Sequence, residues 1–289
     1  MADGQWYHPE WLDRVRALAA GELTPARPRP AATVMLLRDT PAAGPEVHML
    51  RRRTSMPFAG GAYAYPGGGV DPRDDDRDVR WAGPPRSAWA ARLGLDESAA
   101  QAMVCAAVRE TYEEAGVLLA GPSPDTVVGD TTGDDWEADR EALVARELSF
   151  AEFLDRRGLV LRSDLLGAWA RWITPEFEPR RYDTCFFVAA LPEGQRTRDV
   201  STEADRTVWL RPAAAAARYD RGELGMMPPT IATLRQLAPY ATAAAALAAA
   251  PGRDLTPVVA EARLEDGELV LVWPGHDEFT QHIGTGGAA

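Results

Sequence analysis

Lysine is absent from this chain, and all 31 of its basic residues are arginine. Beside the frequent alanine, this reads as the base composition of a GC-rich genome rather than a choice of guanidinium for phosphate. Basic excess is absent too: 43 acidic residues leave a net charge of −12 and a pI near 4.9. A surface of that sign excludes wrapping nucleic acid, which requires phosphate neutralisation. Cys105 and Cys185 are the only two cysteines, too few for a disulfide framework and wrongly spaced for zinc. The four histidines are scattered without ligand spacing, which disfavours a zinc hydrolase. No long apolar run is present either. The most apolar late stretch, Ala241 to Ala250, falls far short of the roughly 20 residues that a membrane span needs. The N-terminus shows no basic-then-apolar leader. The expectation is a protein of the reducing cytoplasm with no membrane partner.

Two things are plentiful. With 289 residues and 46% hydrophobic content, the chain can bury a full core as one large domain, or one domain with an appendage. It also concentrates acid at one place, Arg109-Glu110-Thr111-Tyr112-Glu113-Glu114-Ala115-Gly116-Val117. On a helix turning about 100° per residue, Glu114 lies about 40° to one side of Glu110 and Glu113 about 60° to the other. The three carboxylates therefore share a face, and Arg109 stands beside Glu113 at the i,i+4 spacing. Val104, Val108, Thr111 and Ala115 form the opposite stripe, suited to packing on a sheet. Acids this close repel one another unless a cation sits among them, and a hard divalent ion with oxygen ligands is the usual remedy. In isolation, the same residues also suit an exposed acidic helix with one ion pair. The setting tips the balance: a glycine stop follows at Gly116, and an aromatic-Pro-Gly-Gly turn, Tyr65-Pro66-Gly67-Gly68, lies upstream.

Together these segments resemble the signature of the Nudix hydrolases, G-x5-E-x7-R-E-U-x-E-E-x-G-U with U aliphatic. Arg109, Glu110, Glu113, Glu114, Gly116 and Val117 coincide with it. The aliphatic position holds Thr111, and the position eight before Arg109 holds Gln101. A long insertion, placed at residues 71–98, separates the Gly-Gly turn from the helix. It contains Asp74-Asp75-Asp76 and the apolar run Ala88 to Leu93. A split box resembles the coenzyme A diphosphatase-like branch, as do Trp172-Ile173-Thr174-Pro175 and the segment from Arg180 to Thr184.

The resemblance implies an α/β/α sandwich with a mixed sheet, and Mg²⁺ or Mn²⁺ held by Glu110, Glu113 and Glu114 with the backbone at Gly68. Arg109 would organise the glutamates, and Glu203, in a loop before a short strand, is the candidate base or extra ligand. Arg53, Phe58, Tyr65, Gly67 and Arg181 are the implied substrate contacts. Pro57 and Phe58 occupy the place of a second arginine in the coenzyme A motif. The implied activity is hydrolysis of a nucleoside diphosphate linked to another moiety, coenzyme A or acyl-coenzyme A among the candidates. ADP-ribose or a dinucleotide is the alternative substrate, and a nucleotide-binding module without catalysis is the other function class. Homodimers are common in the family.

Three divisions are expected. Residues 1–29 form an arm, with a helix from Pro9 to Gly21 and a Pro-rich linker. Residues 30–250 form the catalytic domain. Residues 251–289 form a hairpin, Val258 to Leu264 and Glu268 to Trp273 around Asp266-Gly267, followed by a disordered Gly/Ala-rich tail from Thr280. Within the domain, strands are expected at Ala32–Leu37, Val47–Leu50, Ala62–Tyr65, Leu166–Thr174, Tyr182–Ala190 and Val208–Leu210. Helices are expected at Asp134–Arg157, Pro212–Tyr219 and Thr230–Leu237.

Overall fold

The computed structural model describes residues 10–41, 44–56, 59–76, 78–265 and 268–283. The arm helix α1 (Trp11–Ala19) packs by its apolar side, and Trp11 meets Phe177 edge-on at 5.1 Å. The linker then enters β1 (Arg29–Thr40), which turns into β2 (Gly44–Arg52) as an antiparallel pair. Two short strands follow, β3 (Tyr63–Ala64) on β2 and β4 (Gly67–Gly69) on β1. The pairing of β4 is possible because its residues lack side chains: a Cβ at Gly67 would stand 2.5 Å from the Ala32 carbonyl oxygen.

The described residues of the insertion form regular elements. It runs through a 3-10 turn at Pro72–Asp75, strand β5 (Trp81–Ala82) and helix α2 (Arg86–Leu93). The long helix α3 (Glu97–Ala115) comes next. Beyond it lie β6 (Ala120–Gly121), α4 (Asp134–Val144), α5 (Phe150–Arg156) and β7 (Val160–Arg162). The single helix expected over Asp134–Arg157 is therefore two. Arg146 adopts φ 59°, and Ser149 opens α5 with a capping box to Glu152, so local side-chain bonding overrides the continuous charge pattern.

Strands β8 (Leu166–Ile173), β9 (Tyr182–Ala190) and β10 (Ala204–Leu210) complete the main sheet. Three helices follow, α6 (Pro212–Asp220), α7 (Pro228–Leu237) and α8 (Ala243–Ala249). The C-terminal part departs from the expected hairpin in two ways. Val258 and Val259 form β11, a parallel edge strand beside β8, and only β12 (Glu261–Glu265) pairs with β13 (Glu268–Val272). Strand β14 (Gln281–Ile283) adds to β13 where the expected disordered tail begins; residues 284–289 of that tail and the turn residues 266 and 267 lie outside the described residues.

The main sheet has the order β10-β2-β1-β9-β8-β11 and is mixed, with β1 parallel to β9 and antiparallel to β2. Alternation along its central strands builds two cores. Val34, Leu36, Cys185 and Phe187 face α3, α2 and α5, whereas Met35, Leu37, Phe186 and Val188 face α6, α7, α8 and α1. The result is an α/β/α sandwich with two small three-stranded sheets at its periphery. Among the described residues no helix is long and apolar enough to cross a membrane.

Candidate active site at the end of the long helix

Helix α3 is aimed by its ends. Asp96 caps it, accepting from the Ala99 N–H at 2.8 Å, and Gly116 at φ 69° stops it in the left-handed conformation. Between them Val104, Val108, Thr111 and Ala115 are fully buried, as the stripe predicts. Packing therefore fixes which way the glutamates point.

Arg109 is the hub. Its Nη1 donates to Glu110 Oε1 at 2.8 Å and to Glu113 Oε1 at 3.0 Å, and its Nη2 donates to the Gly69 carbonyl at 2.9 Å. Its remaining donors go to a residue that the helix spacing does not predict. Nε and Nη2 reach Asp74 Oδ1 and Oδ2, both at 3.0 Å, and the Asp74 side chain is only 1% exposed. Gln101 is not the partner. It lies two turns earlier, about 12 Å along the axis, and bonds Arg86 and the Asp76 carbonyl instead. The signal was present in the sequence. Counting forward from Gly68 with five residues between reaches Asp74, so the insertion begins after that carboxylate rather than at residue 71.

Glu114 turns to the other side of Arg109. Its Oε2 accepts from the Gly67 N–H at 2.8 Å, and Ser201 Oγ stands 3.4 Å from Oε1. The neighbouring Gly68 faces Glu110, and a Cβ there would come 2.6 Å from all three carboxylate atoms. The Gly67-Gly68 backbone thus passes between two acids, an approach only glycine permits. Burial pushes Glu110 up to about 7 against the pull of Arg109. Burial likewise pushes Glu114 up to about 8 despite the Gly67 N–H, with the charges of Glu110 and Glu203 adding to the rise. Glu113 is also raised by burial. The helix C-terminus carries its own partial negative charge to the same spot.

A cleft of about 20 Å³ opens beside Glu114, enough for about one water. Leu50, Arg52, Tyr65, Gly67, Ser201 and Glu203 are among its walls. Of the arginine triplet, Arg52 is the one that enters. Arg51 is paired with Asp205 at 2.6 Å, and Arg53 has an exposed side chain while its N–H donates to the Glu203 carbonyl. Arg52 Nη1 stands 3.6 Å from Glu203 Oε2, and its Nε is buried without a hydrogen-bond partner. Strand alternation could have singled it out, because Leu50 and Arg52 share a face of β2. Tyr65 lines the cleft with its ring, while its hydroxyl donates to the Thr230 carbonyl. Arg181 does not reach the cleft. Its Nε and Nη1 donate to the carbonyls of Thr174 and Ala26, tying down the linker. Phe58 lies outside the described residues.

Comparison with known proteins agrees with this geometry. The family description for the NUDT19 Nudix domain matches residues 95–237, a span that holds α3, its glutamates and the Ser201–Glu203 loop. The chain has the α/β fold of the Nudix hydrolases. It is similar to the acyl-coenzyme A diphosphatase NUDT19 of Xenopus laevis, 25% identical, covering 82% of this chain and 72% of that protein. The human protein of the same name is 26% identical, covering 79% and 70%. A crystal structure of a Nudix hydrolase from Alicyclobacillus acidocaldarius superposes with a TM-score of 0.63 at 28% identity, over 77% of this chain and 96% of that one.

Nudix hydrolases generally need a divalent cation. Among the described residues no three or more His, Cys, Asp or Glu side chains are drawn together tightly enough to hold a metal ion. Arg109 keeps Glu110 and Glu113 to itself, and Gly67 keeps Glu114. The donor set nonetheless fits the group: largely shielded from solvent, all-oxygen, and raised in pKa by burial.

Proposed function

We propose that this chain is a metal-dependent diphosphatase that splits the diphosphate of a nucleoside diphosphate linked to another moiety, with coenzyme A or acyl-coenzyme A as the substrate class. The observation that carries the reading is the burial of Glu110, Glu113 and Glu114 around Arg109 beside the Gly67-Gly68 backbone. The names of the acyl-coenzyme A diphosphatase relatives support the substrate class. Glu110, Glu113 and Glu114, with the backbone at Gly68, would hold Mg²⁺ or Mn²⁺. Held there, such an ion would supply charge neutralisation and Lewis acidity toward the diphosphate.

The chain's own residues do the rest. Arg109 fixes two of the glutamates and draws Gly69 toward them. Arg52 offers its unpartnered Nε and its loosely paired Nη1 to a phosphoryl oxygen. The cleft is too small for a phosphate as it stands, so substrate enters by parting Arg52 from Glu203. Glu203, 57% exposed at the cleft edge, is then placed to take the proton of the attacking water. A water oxygen bonds to one phosphorus, the bridging P–O bond breaks, and the second phosphate leaves with the electron pair. Tyr65 and Leu50 supply an apolar wall.

The test is product release from coenzyme A, acyl-coenzyme A, ADP-ribose and dinucleotides, with Mg²⁺ or Mn²⁺, for the native chain and Glu114→Gln. Metal-dependent turnover that collapses in the variant is expected. Binding of a panel member without turnover would instead make the chain a nucleotide-binding module.

A further inference from the structure

We propose that Glu137, Arg140 and Arg198 form a clasp through which α4, which does not line the cleft, positions both the glutamate-bearing end of α3 and the loop carrying Ser201 and Glu203. The inference rests on the reading of the glutamates as a metal site. Its starting point is a deficit: α3 ends in three acids with no basic residue in its last turn, where the helix already carries partial negative charge. The missing cations arrive from elsewhere in the chain. Arg140 Nη1 donates to the Glu113 carbonyl at 2.8 Å, and the Arg198 N–H donates to the Ala115 carbonyl at 2.9 Å. Glu137 holds both side chains, taking Arg140 Nε at 3.0 and 3.1 Å and Arg198 Nη1 through its other face.

Arg198 lies flat on the helix stop. A Cβ at Gly116 would stand 2.6 Å from its Nε, so the glycine makes room for the guanidinium as well as for the left-handed turn. The Nε and Nη2 of Arg198 are buried without hydrogen-bond partners, so Glu137 is the contact that holds this charge in place. Ser201, which faces Glu114, and Glu203, which faces Arg52, follow within five residues. One acid on α4 thereby sets the distance between Glu114 and the loop opposite it. None of the three clasp residues lines the cleft, so they are positioning residues.

The sign of one measurement separates positioning from simple electrostatics. Arg140→Gln and Arg198→Gln each remove a positive charge beside the carboxylates, which by charge alone tightens Mn²⁺ binding. Positioning predicts the opposite, a weakening of about tenfold or more in a Mn²⁺ titration followed by electron paramagnetic resonance. Binding unchanged or tighter than native would overturn the proposal. The isosteric Glu137→Gln carries a second arm that needs no metal and stands even if an arginine variant does not fold. Amide exchange is expected to quicken over residues 112–117 and 198–204 and to stay unchanged in β1 and β9. A rise spread evenly over the chain, or none, overturns the clasp. If the native chain takes up no Mn²⁺, the metal-site reading fails, and the exchange pattern still decides whether the clasp exists.

Discussion

Asp74 grips Arg109 with both carboxylate oxygens, Oδ1 on Nε and Oδ2 on Nη2, across an insertion that separates the two residues by 35 positions in the chain. The pair is buried, and Arg109 simultaneously holds Glu110, Glu113 and the Gly69 carbonyl. Asp74→Ala leaves a buried guanidinium short of its bidentate partner. The expected loss is about 3 kcal/mol or more of stability, read from urea unfolding midpoints, together with a fall in turnover as Arg109 swings toward the glutamates. Gln101→Ala, with its side chain remote from Arg109, is expected to leave the Arg109 network intact. Equal loss of activity in the two variants would contradict the assignment.

The two box glycines separate a folding requirement from a chemical one. A Cβ at Gly67 meets backbone, the Ala32 carbonyl and Thr33 Cα, so Gly67→Ala is expected to disrupt the β1–β4 pairing and lower Tm sharply. The nearest atoms to a Cβ at Gly68 are the far end of Glu110, which can turn aside. Gly68→Ala should therefore fold, with divalent-ion affinity weakened about tenfold or more in a calorimetric titration.

Within the arginine triplet the consequences should differ by position. Arg52 faces Glu114 across the cleft, whereas Arg51 is committed to Asp205 and the Arg53 side chain is exposed. Loss of a charge-assisted bond to a phosphoryl oxygen costs about 1.5–3 kcal/mol, so Arg52→Ala should raise KM about tenfold to a hundredfold. Arg53→Ala should change KM by less than about threefold. A reversed order would place the substrate phosphates elsewhere.

How far the sequence reached follows from the range of each interaction. The shared face of Glu110, Glu113 and Glu114 and the Arg109–Glu113 contact depend on helical phase alone, and phase is local. The unbroken run from Cys185 to Ala189 marked a strand buried on both sides, which is where β9 lies. Asp74 lies outside the helical phase of Arg109, although the five-residue spacing forward from Gly68 reaches it. Alternation selects Arg52 over Arg53 once β2 is carried past Leu50, and that extension goes with its pairing to β10 and β3. The parallel addition of β11 depends on a partner distant in the chain, whereas the break at Arg146 is local and goes with the Ser149–Glu152 capping box. Arg181, an implied substrate contact, bonds the carbonyls of Thr174 and Ala26, partners that no local pattern reveals.

The raised glutamates make the metal-free chain sensitive to alkali. Glu110 and Glu114, ordinarily near 4.5, are pushed by burial to about 7 and about 8. Between those values the folded chain binds more protons than the unfolded one, so stability falls as pH rises. The contribution is fully present below about 4.5 and is lost as pH climbs through about 7 and then about 8. Asp71 acts in a separate window: Arg73 holds it down to about 2, so its contribution is lost only as pH falls toward that value. Thermal melts without divalent ion, from about pH 5 to about pH 9, should show Tm declining by several degrees. Glu114→Gln should remove the upper part of the decline, because its amide has no proton to lose. Mg²⁺ binds only the ionised carboxylates and displaces their protons, so its effect is largest where they are most strained. The Tm increase on adding Mg²⁺ should shrink toward pH 5 and grow toward pH 9. A metal-free Tm that stays level over this range would show that the glutamates are not the buried group their surroundings make them.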